Sequence, residues 1–287
     1  GILNTYQALL IITLMGITWS LLTFCIKNTT GKLVLKTGVL LLVSLMIIFP
    51  PDFIFRQLLL KGIRVTETFD TPYGNITKGE YHGEASTWYN QRLIIYSSDA
   101  AESEEDIHYG MLQTDDPATV LLISGSAGSR IREISKYDIG ELVYVERDPA
   151  LTADIERDEK DEKVLLTVIN DDAFSYIRET GRKFDAVIML LPPPSSLSLN
   201  RYYTVEFFRS VKKIMNEGAV FSCSPGINPN YFNSEAVRLY SSICNSMKAV
   251  FGNVVPVAGI KLYFIASNDE ISTAFCRLTD EKELRNS

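Results

Sequence analysis

The chain has 287 residues, 46% of them hydrophobic and 22% charged, with a formal net charge of −7. This composition excludes a disordered or collagen-like chain, and the negative balance argues against a nucleic-acid partner, which would need a basic footprint. Four cysteines, Cys25, Cys223, Cys244 and Cys276, lie far apart with no C-x-x-C pair. Neither a zinc site nor a redox motif is therefore encoded, and no metal is expected.

The longest apolar runs come first. Tyr6–Ile26 carries no charge, and Leu33–Phe49 carries only Lys36. At 1.5 Å per residue the two runs reach roughly 25–31 Å, about the thickness of a hydrocarbon core. With the polar turn Lys27–Lys32 between them, they predict a transmembrane helical hairpin over residues 1–50. A multi-pass protein of the cell inner membrane is expected, and the start at Gly1 leaves open that it is a fragment of a longer one. Lysines at the turn and Arg56, Lys61 and Arg64 after the second run leave the positive-inside rule nearly tied. The large domain is assigned to the cytoplasm because its expected ligand is there.

Pro50-Pro51 stops the second helix, and residues 51–63 read as an amphipathic linker. Residues 64–112 read as a small β-domain and a connecting helix. Val65, Thr66 and Thr68 favour strand, Pro72–Asn75 is a turn, and Asn90-Gln91 sits between apolar arms as in a hairpin. Ala101–Leu112 is predicted helical, with acids in its first turns.

From residue 113 to 287 the pattern alternates strand and helix. Strands are predicted at Val120–Ile123, Leu142–Val145, Val164–Ile169, Ala186–Leu190, Val220–Cys223, Val254–Val257 and Lys261–Ala266. Helices fall between them, including Thr204–Asn216, closed by Gly218 as a left-handed cap. Continuous apolar strands separated by helices specify an α/β fold with a doubly wound, Rossmann-like parallel sheet.

Such sheets bind ligands at the carboxyl ends of their strands. Three features fall there. Gly125 and Gly128 lie in a turn after the first strand, although the spacing is not G-x-G-x-x-G. Glu146 ends the second strand, where an acid can accept from both ribose hydroxyls; a solvated carboxylate paired with Arg147 is the alternative. Asp171-Asp172 follow the third strand, where a carboxylate can hold the exocyclic amine of adenine; Asp172 as a helix N-cap is the alternative. Together they predict an adenosine-type ligand.

These residues carry a family resemblance. Leu121–Ser129 followed by Arg132-Glu133, Val145–Pro149, Asp172-Ala173-Phe174 and above all Asn200–Phe208 resemble motifs of the spermidine and spermine synthases. Pro72-Tyr73-Gly74 and the β-hairpin are similar to that family's small N-terminal β-domain, and the apolar lead-in to its membrane-spanning bacterial branch. The resemblance implies a class I methyltransferase-like fold. It also implies a nucleoside cofactor, decarboxylated S-adenosylmethionine, bound by Gly125, Ala127, Gly128, Glu146, Asp171 and Asp172, and aminopropyl transfer to a polyamine. A homodimer is left open.

One departure bears on activity. The family's catalytic acid, in the loop after the fourth strand, would fall at Pro193 within Leu190–Ser196. The acid often found in the glycine turn is replaced by Ala127. No catalytic residue is therefore assigned. Tyr203 faces either the pocket or the core, and His108-Tyr109 lines the acceptor pocket or simply packs. Glu104, Glu105 or Asp106 would substitute for the lost acid only if their helix faced the cleft. A methyltransferase using intact S-adenosylmethionine and a non-catalytic nucleoside-binding scaffold are the alternatives.

Overall fold

The computed structural model describes residues 5–25, 29–48, 51–96, 100–125, 127–153, 164–226 and 233–281. The chain forms two compact units, Gly1–Ser98 and Asp99–Ser287.

The first unit begins with helices α1 (Thr5–Ser20), α2 (Thr29–Ile48) and α3 (Pro51–Leu59). Among the described residues no helix is long and apolar enough to cross a membrane. This corrects the expected transmembrane hairpin. At 1.5 Å per residue the 16 residues of α1 reach only about 24 Å, and the chain then passes into a π-helical turn, Leu21–Cys25. Helix α2 has 20 residues but places Lys32 and Lys36 in its first turns. The multi-pass inner-membrane location, with a cytoplasmic domain, falls with the hairpin. After α3 come four antiparallel strands in sequential order, β1 (Ile63–Asp70), β2 (Asn75–Tyr81), β3 (Glu84–Tyr89) and β4 (Arg92–Tyr96). His82-Gly83 and Asn90-Gln91, all at positive φ, make the two tight hairpin turns.

The second unit opens with α4 (Ala100–Met111) and is built on seven strands. These are β5 (Thr119–Ile123), β6 (Glu141–Val145), β7 (Leu165–Ile169), β8 (Phe184–Met189), β9 (Met215–Cys223), β10 (Asn253–Ala258) and β11 (Leu262–Ser267). Their spatial order is β10-β11-β9-β8-β5-β6-β7, and β11 alone runs against its neighbours. The α/β Rossmann-like, methyltransferase-like architecture is therefore as expected. Helices α5 (Ala127–Ile134), α6 (Ala173–Glu179), α7 (Val205–Lys213) and α8 (Ser234–Lys248) connect the strands, and α9 (Phe275–Glu281) follows them.

The continuous apolar strands are explained by burial on both faces. Leu121, Ile123, Val143 and Val145 pack with Phe207, Phe208, Val211, Ile243 and Met247. Val120, Leu122, Leu142 and Tyr144 pack on the other face with Ile107, Met111, Ile131 and Ile134. At the end of the sheet away from the glycine turn, one Asp185 oxygen accepts the N–H groups of Ala118 and Thr119, each at 2.9 Å. The other accepts Asn216 Nδ2 at 2.6 Å, so three strands start in register.

Gly218 is not a helix cap. Helix α7 stops at Lys213, and Gly218, at φ +76°, lies inside β9. There the pairing with β8 jumps from Phe184–Met215 to Ala186–Val220, and the extra residues need a left-handed position.

Candidate functional site at the strand ends

The site is assembled at the carboxyl ends of β5, β6, β7 and β8. β5 runs into Ser124 and Gly125, both left-handed at φ +58° and +92°. Ser124 N donates to Val145 O at 2.9 Å, and Leu190 N to Ile123 O at 2.9 Å, which binds three strand ends together. A Cβ on Gly125 would stand 2.4 Å from Leu190 Cβ, so both the φ and the close approach require glycine here. Gly128 lies in the first turn of α5. Ser126 is outside the described residues, as is the Ala127 side chain.

Glu146, one residue past β6, is turned inward and only 6% exposed. Its Oε2 accepts the Ser124 hydroxyl at 2.8 Å and the Tyr144 hydroxyl at 3.4 Å; its Oε1 accepts Asp148 N at 3.2 Å. Burial pushes its carboxyl above the usual range, against the opposing pull of these hydrogen bonds. It is thus a buried carboxylate held by local donors, the backbone N–H of Arg147 among them, and not a solvated one. Asp148 is buried too, and accepts Ala150 N at 3.1 Å to cap the turn Pro149–Leu151.

After β7, Asp171 is exposed and accepts Asp172 N at 2.6 Å. Asp172 is an N-cap, its Oδ1 accepting from Phe174 N at 3.1 Å and Ser175 N at 3.3 Å. Its Oδ2 accepts the Tyr202 hydroxyl at 2.5 Å and is ion-paired with Arg201. Burial alone would raise the Asp172 carboxyl; the Tyr202 hydroxyl, the helix N–H groups and Arg201 outweigh it and hold the group below its ordinary range. The Tyr202 phenol is pushed up to about 12, first by burial and then by Asp172. Arg201 lies 4.7 Å over the Tyr202 ring and donates from Nε to Ser198 O at 3.1 Å.

The loop after β8 carries Pro192, Pro193 and Pro194. The buried Tyr203 hydroxyl donates to Leu191 O at 2.9 Å and to Pro192 O at 3.1 Å, fixing the loop from beneath. Ser195 N returns to Pro193 O at 2.7 Å, and a Cβ on Gly226 would lie 3.4 Å from Pro193 Cδ. No Asp or Glu occurs between Leu190 and Thr204.

Helix α4 supplies no spare acid from Asp106 or Glu105. Asp106 is fully buried; its Oδ2 accepts Arg130 Nε at 2.9 Å and Nη2 at 2.7 Å, and its Oδ1 accepts Tyr263 Oη at 3.0 Å and Lys261 Nζ at 3.2 Å. Glu105 accepts Ile260 N at 2.6 Å, and Glu102 pairs with Lys261. His108 is a packing residue, its Nδ1 2.7 Å from the Tyr137 hydroxyl and its Nε2 2.9 Å from Glu133. Burial lowers its pKa despite Glu133. Tyr109 packs edge-on against Tyr263 and Phe275.

Geometry thus joins Ser124, Gly125 and Glu146 directly, sets Asp172 on the next strand end, and turns Tyr203 to the proline loop. Sequence reasoning missed Ser124 and Tyr144 as partners of Glu146, and Arg201 and Tyr202 as partners of Asp172. The last two were adjacent to Tyr203 in the motif already singled out.

Residues 100–269, more than half of the chain, match the model of the spermine/spermidine synthase domain. The chain belongs to this family. Among curated relatives, a polyamine aminopropyltransferase of Leptospira interrogans is 33% identical over 160 residues, 52% of this chain and 32% of the relative. One from Korarchaeum cryptofilum is 29% identical over 176 residues, 59% of this chain and 52% of the relative. The chain thus spans only about a third to a half of these two relatives. A spermidine synthase solved in complex with the transition-state analogue AdoDATO superposes with a TM-score of 0.62 at 18% identity, covering 73% of this chain and 75% of that one. The spermidine synthase of Thermotoga maritima gives 0.62 at 16% identity, covering 78% and 79%. At these identities the superpositions speak for the fold.

Proposed function

We propose that this chain is a spermidine-synthase-type domain that binds an adenosyl ligand, decarboxylated S-adenosylmethionine or its product methylthioadenosine, and transfers the aminopropyl group poorly or not at all. Glu146 takes the ribose hydroxyls in exchange for the Ser124 and Tyr144 hydroxyls on its Oε2, and Asp172 takes the adenine amine; Gly125 and Gly128 give the ligand backbone access. The spermidine synthase solved with AdoDATO and the aminopropyltransferase relatives support the ligand class, and the left-handed glycine turn beside an inward acid supports the place.

The observation that carries the second half is the loop after β8. In aminopropyl transfer the amine lone pair attacks the carbon beside the sulfonium. The C–S bond breaks, its electron pair stays on sulfur, and the amine proton must go to a base. An alkylammonium with a pKa near about 10.4 is almost fully protonated at neutral pH. Pro193 offers neither base nor negative charge, and the Tyr203 clamp keeps three prolines in place. A missing general base lowers the rate by about 10²–10⁴-fold. Of the α4 acids, Glu105 and Asp106 already have donors of their own, as does Glu102.

The test is to supply decarboxylated S-adenosylmethionine with putrescine or spermidine and to follow methylthioadenosine release, alongside calorimetric titration with methylthioadenosine. Binding without turnover is expected, with partial recovery in Pro193→Asp. Turnover near about 10 per second, an ordinary enzyme's rate, refutes the loss of activity; no binding refutes the nucleoside reading. Ala127, which puts no acid opposite a methionine carboxylate, favours a second reading, methyl transfer from intact S-adenosylmethionine. Titration with intact S-adenosylmethionine, set beside its decarboxylated form, tests it.

A further inference from the structure

The four donors on Asp172 have a consequence for nucleoside recognition, which rests on the adenosyl-ligand reading above. A carboxylate offers about four acceptor positions. On Asp172 all four are filled, by Phe174 N, Ser175 N, the Tyr202 hydroxyl and Arg201. An adenine amine arriving at this carboxylate therefore has to displace a donor.

The four are not equally removable. The two N–H groups belong to the first turn of α6 and cannot leave without unwinding it. The Tyr202 hydroxyl belongs to a side chain that is 4% exposed, with its ring packed edge-on against Phe207. Arg201 has 41% of its side chain in solvent. Besides Asp172 and the Tyr202 hydroxyl, it is tethered by one bond to Ser198 O and by its stacking on the Tyr202 ring. It is the donor that can swing away.

We infer that Arg201 is a specificity-determining residue at the base end of the site: it occupies the acceptor that a 6-amino base requires, and itself offers a donor to a 6-oxo base. Adenosine binds after Arg201 leaves Asp172 Oδ2, so its affinity is reduced by the strength of that pair. Inosine has no exocyclic amine; its carbonyl oxygen accepts from the guanidinium where it stands. A partly exposed ion pair of this kind corresponds to about a twofold to fivefold factor in affinity, and it weakens as salt rises.

The experiment is calorimetric titration of the full chain and of Arg201→Ala with adenosine and with inosine, at low and high ionic strength. Arg201→Ala is expected to bind adenosine about twofold to fivefold more tightly and inosine more weakly. Wild-type affinity for adenosine, a neutral ligand, should rise with salt toward that of the variant, whose own affinity should stay flat. Equal or weaker adenosine binding by the variant overturns the inference while leaving the nucleoside reading intact. So does a wild-type affinity that falls or stays constant with salt, a result that does not depend on the variant folding. Absence of binding by either protein removes the nucleoside reading, and this inference with it.

Discussion

Replacing Arg130 by methionine should destabilise the second unit by about 3 kcal/mol. Arg130 is 5% exposed and donates twice to Asp106, which is fully buried. Methionine keeps much of the stem volume but removes the guanidinium, leaving Asp106 Oδ2 with only Lys261 Nζ at 3.4 Å. Removing one member of a buried pair typically costs about 3–5 kcal/mol, because the other charge stays desolvated. The lower end applies because Lys261 and Tyr263 still reach Oδ1. Amide hydrogen exchange of Val120–Ile123, at the centre of the sheet, reads this unit separately from the first. A loss of about 3 kcal/mol accelerates exchange there by about two orders of magnitude. The triple variant Arg130→Met, Asp106→Leu, Tyr263→Phe removes the pair together with the buried hydroxyl that bonds to it, and should lie within about 1 kcal/mol of wild type. A single variant losing less than about 1 kcal/mol, or a triple variant as damaged as the single, would refute the reasoning.

Gly125→Ala should lower stability by about 1–3 kcal/mol, from its positive φ and the collision with Leu190, read as a fall in melting temperature. Tyr203→Phe removes both bonds to the proline loop and should cost about 1–2 kcal/mol, with faster amide exchange at Ser195 and little change at Val120–Ile123. Glu146 gives a pH test. Its folded carboxyl lies above the ordinary value of 4.5, so it stabilises the fold below that value and loses the contribution as pH rises through its folded pKa. Glu146→Gln does not titrate, and its stability relative to wild type should therefore improve from pH 4.5 toward neutrality; urea midpoints that shift the other way would contradict this.

The sheet was legible because each of its strands is an apolar run bounded by turn residues. Burial on two faces leaves such runs no other use, as Val120–Ile123 and Leu142–Val145 illustrate. Gly218 misled because a left-handed glycine after a helix reads the same whether it ends that helix or allows an irregular strand to begin. The apolar N-terminal runs misled because hydropathy ignores where a helix breaks: the π-helical turn at Leu21–Cys25 leaves no trace in composition. The positions of Glu146 and Asp172 at strand ends followed from the alternation of elements. Their partners did not, since Ser124, Arg201 and Tyr202 come from 22 to 30 residues away and are matched only by folding. The roles of His108 and Asp106 stayed open in the sequence for a related reason. Which face of α4 meets α5 depends on Arg130, Glu133 and Tyr137, residues that local periodicity does not pair with it.

Ser124 sets two effects of similar size against each other. A non-glycine residue at φ +58° carries a penalty of about 1–2 kcal/mol. A hydrogen bond to a charged acceptor contributes about 1.5–3 kcal/mol, and the serine hydroxyl makes one to Glu146 at 2.8 Å. Exchange between glycine and serine at this position is thus close to neutral for folding while it fills one acceptor site on Glu146. Mutation can therefore cross it in either direction without selection on stability noticing. Under the proposed nucleoside reading, a lineage can let its grip on a ribose drift, or regain it, while the sheet beneath stays unchanged.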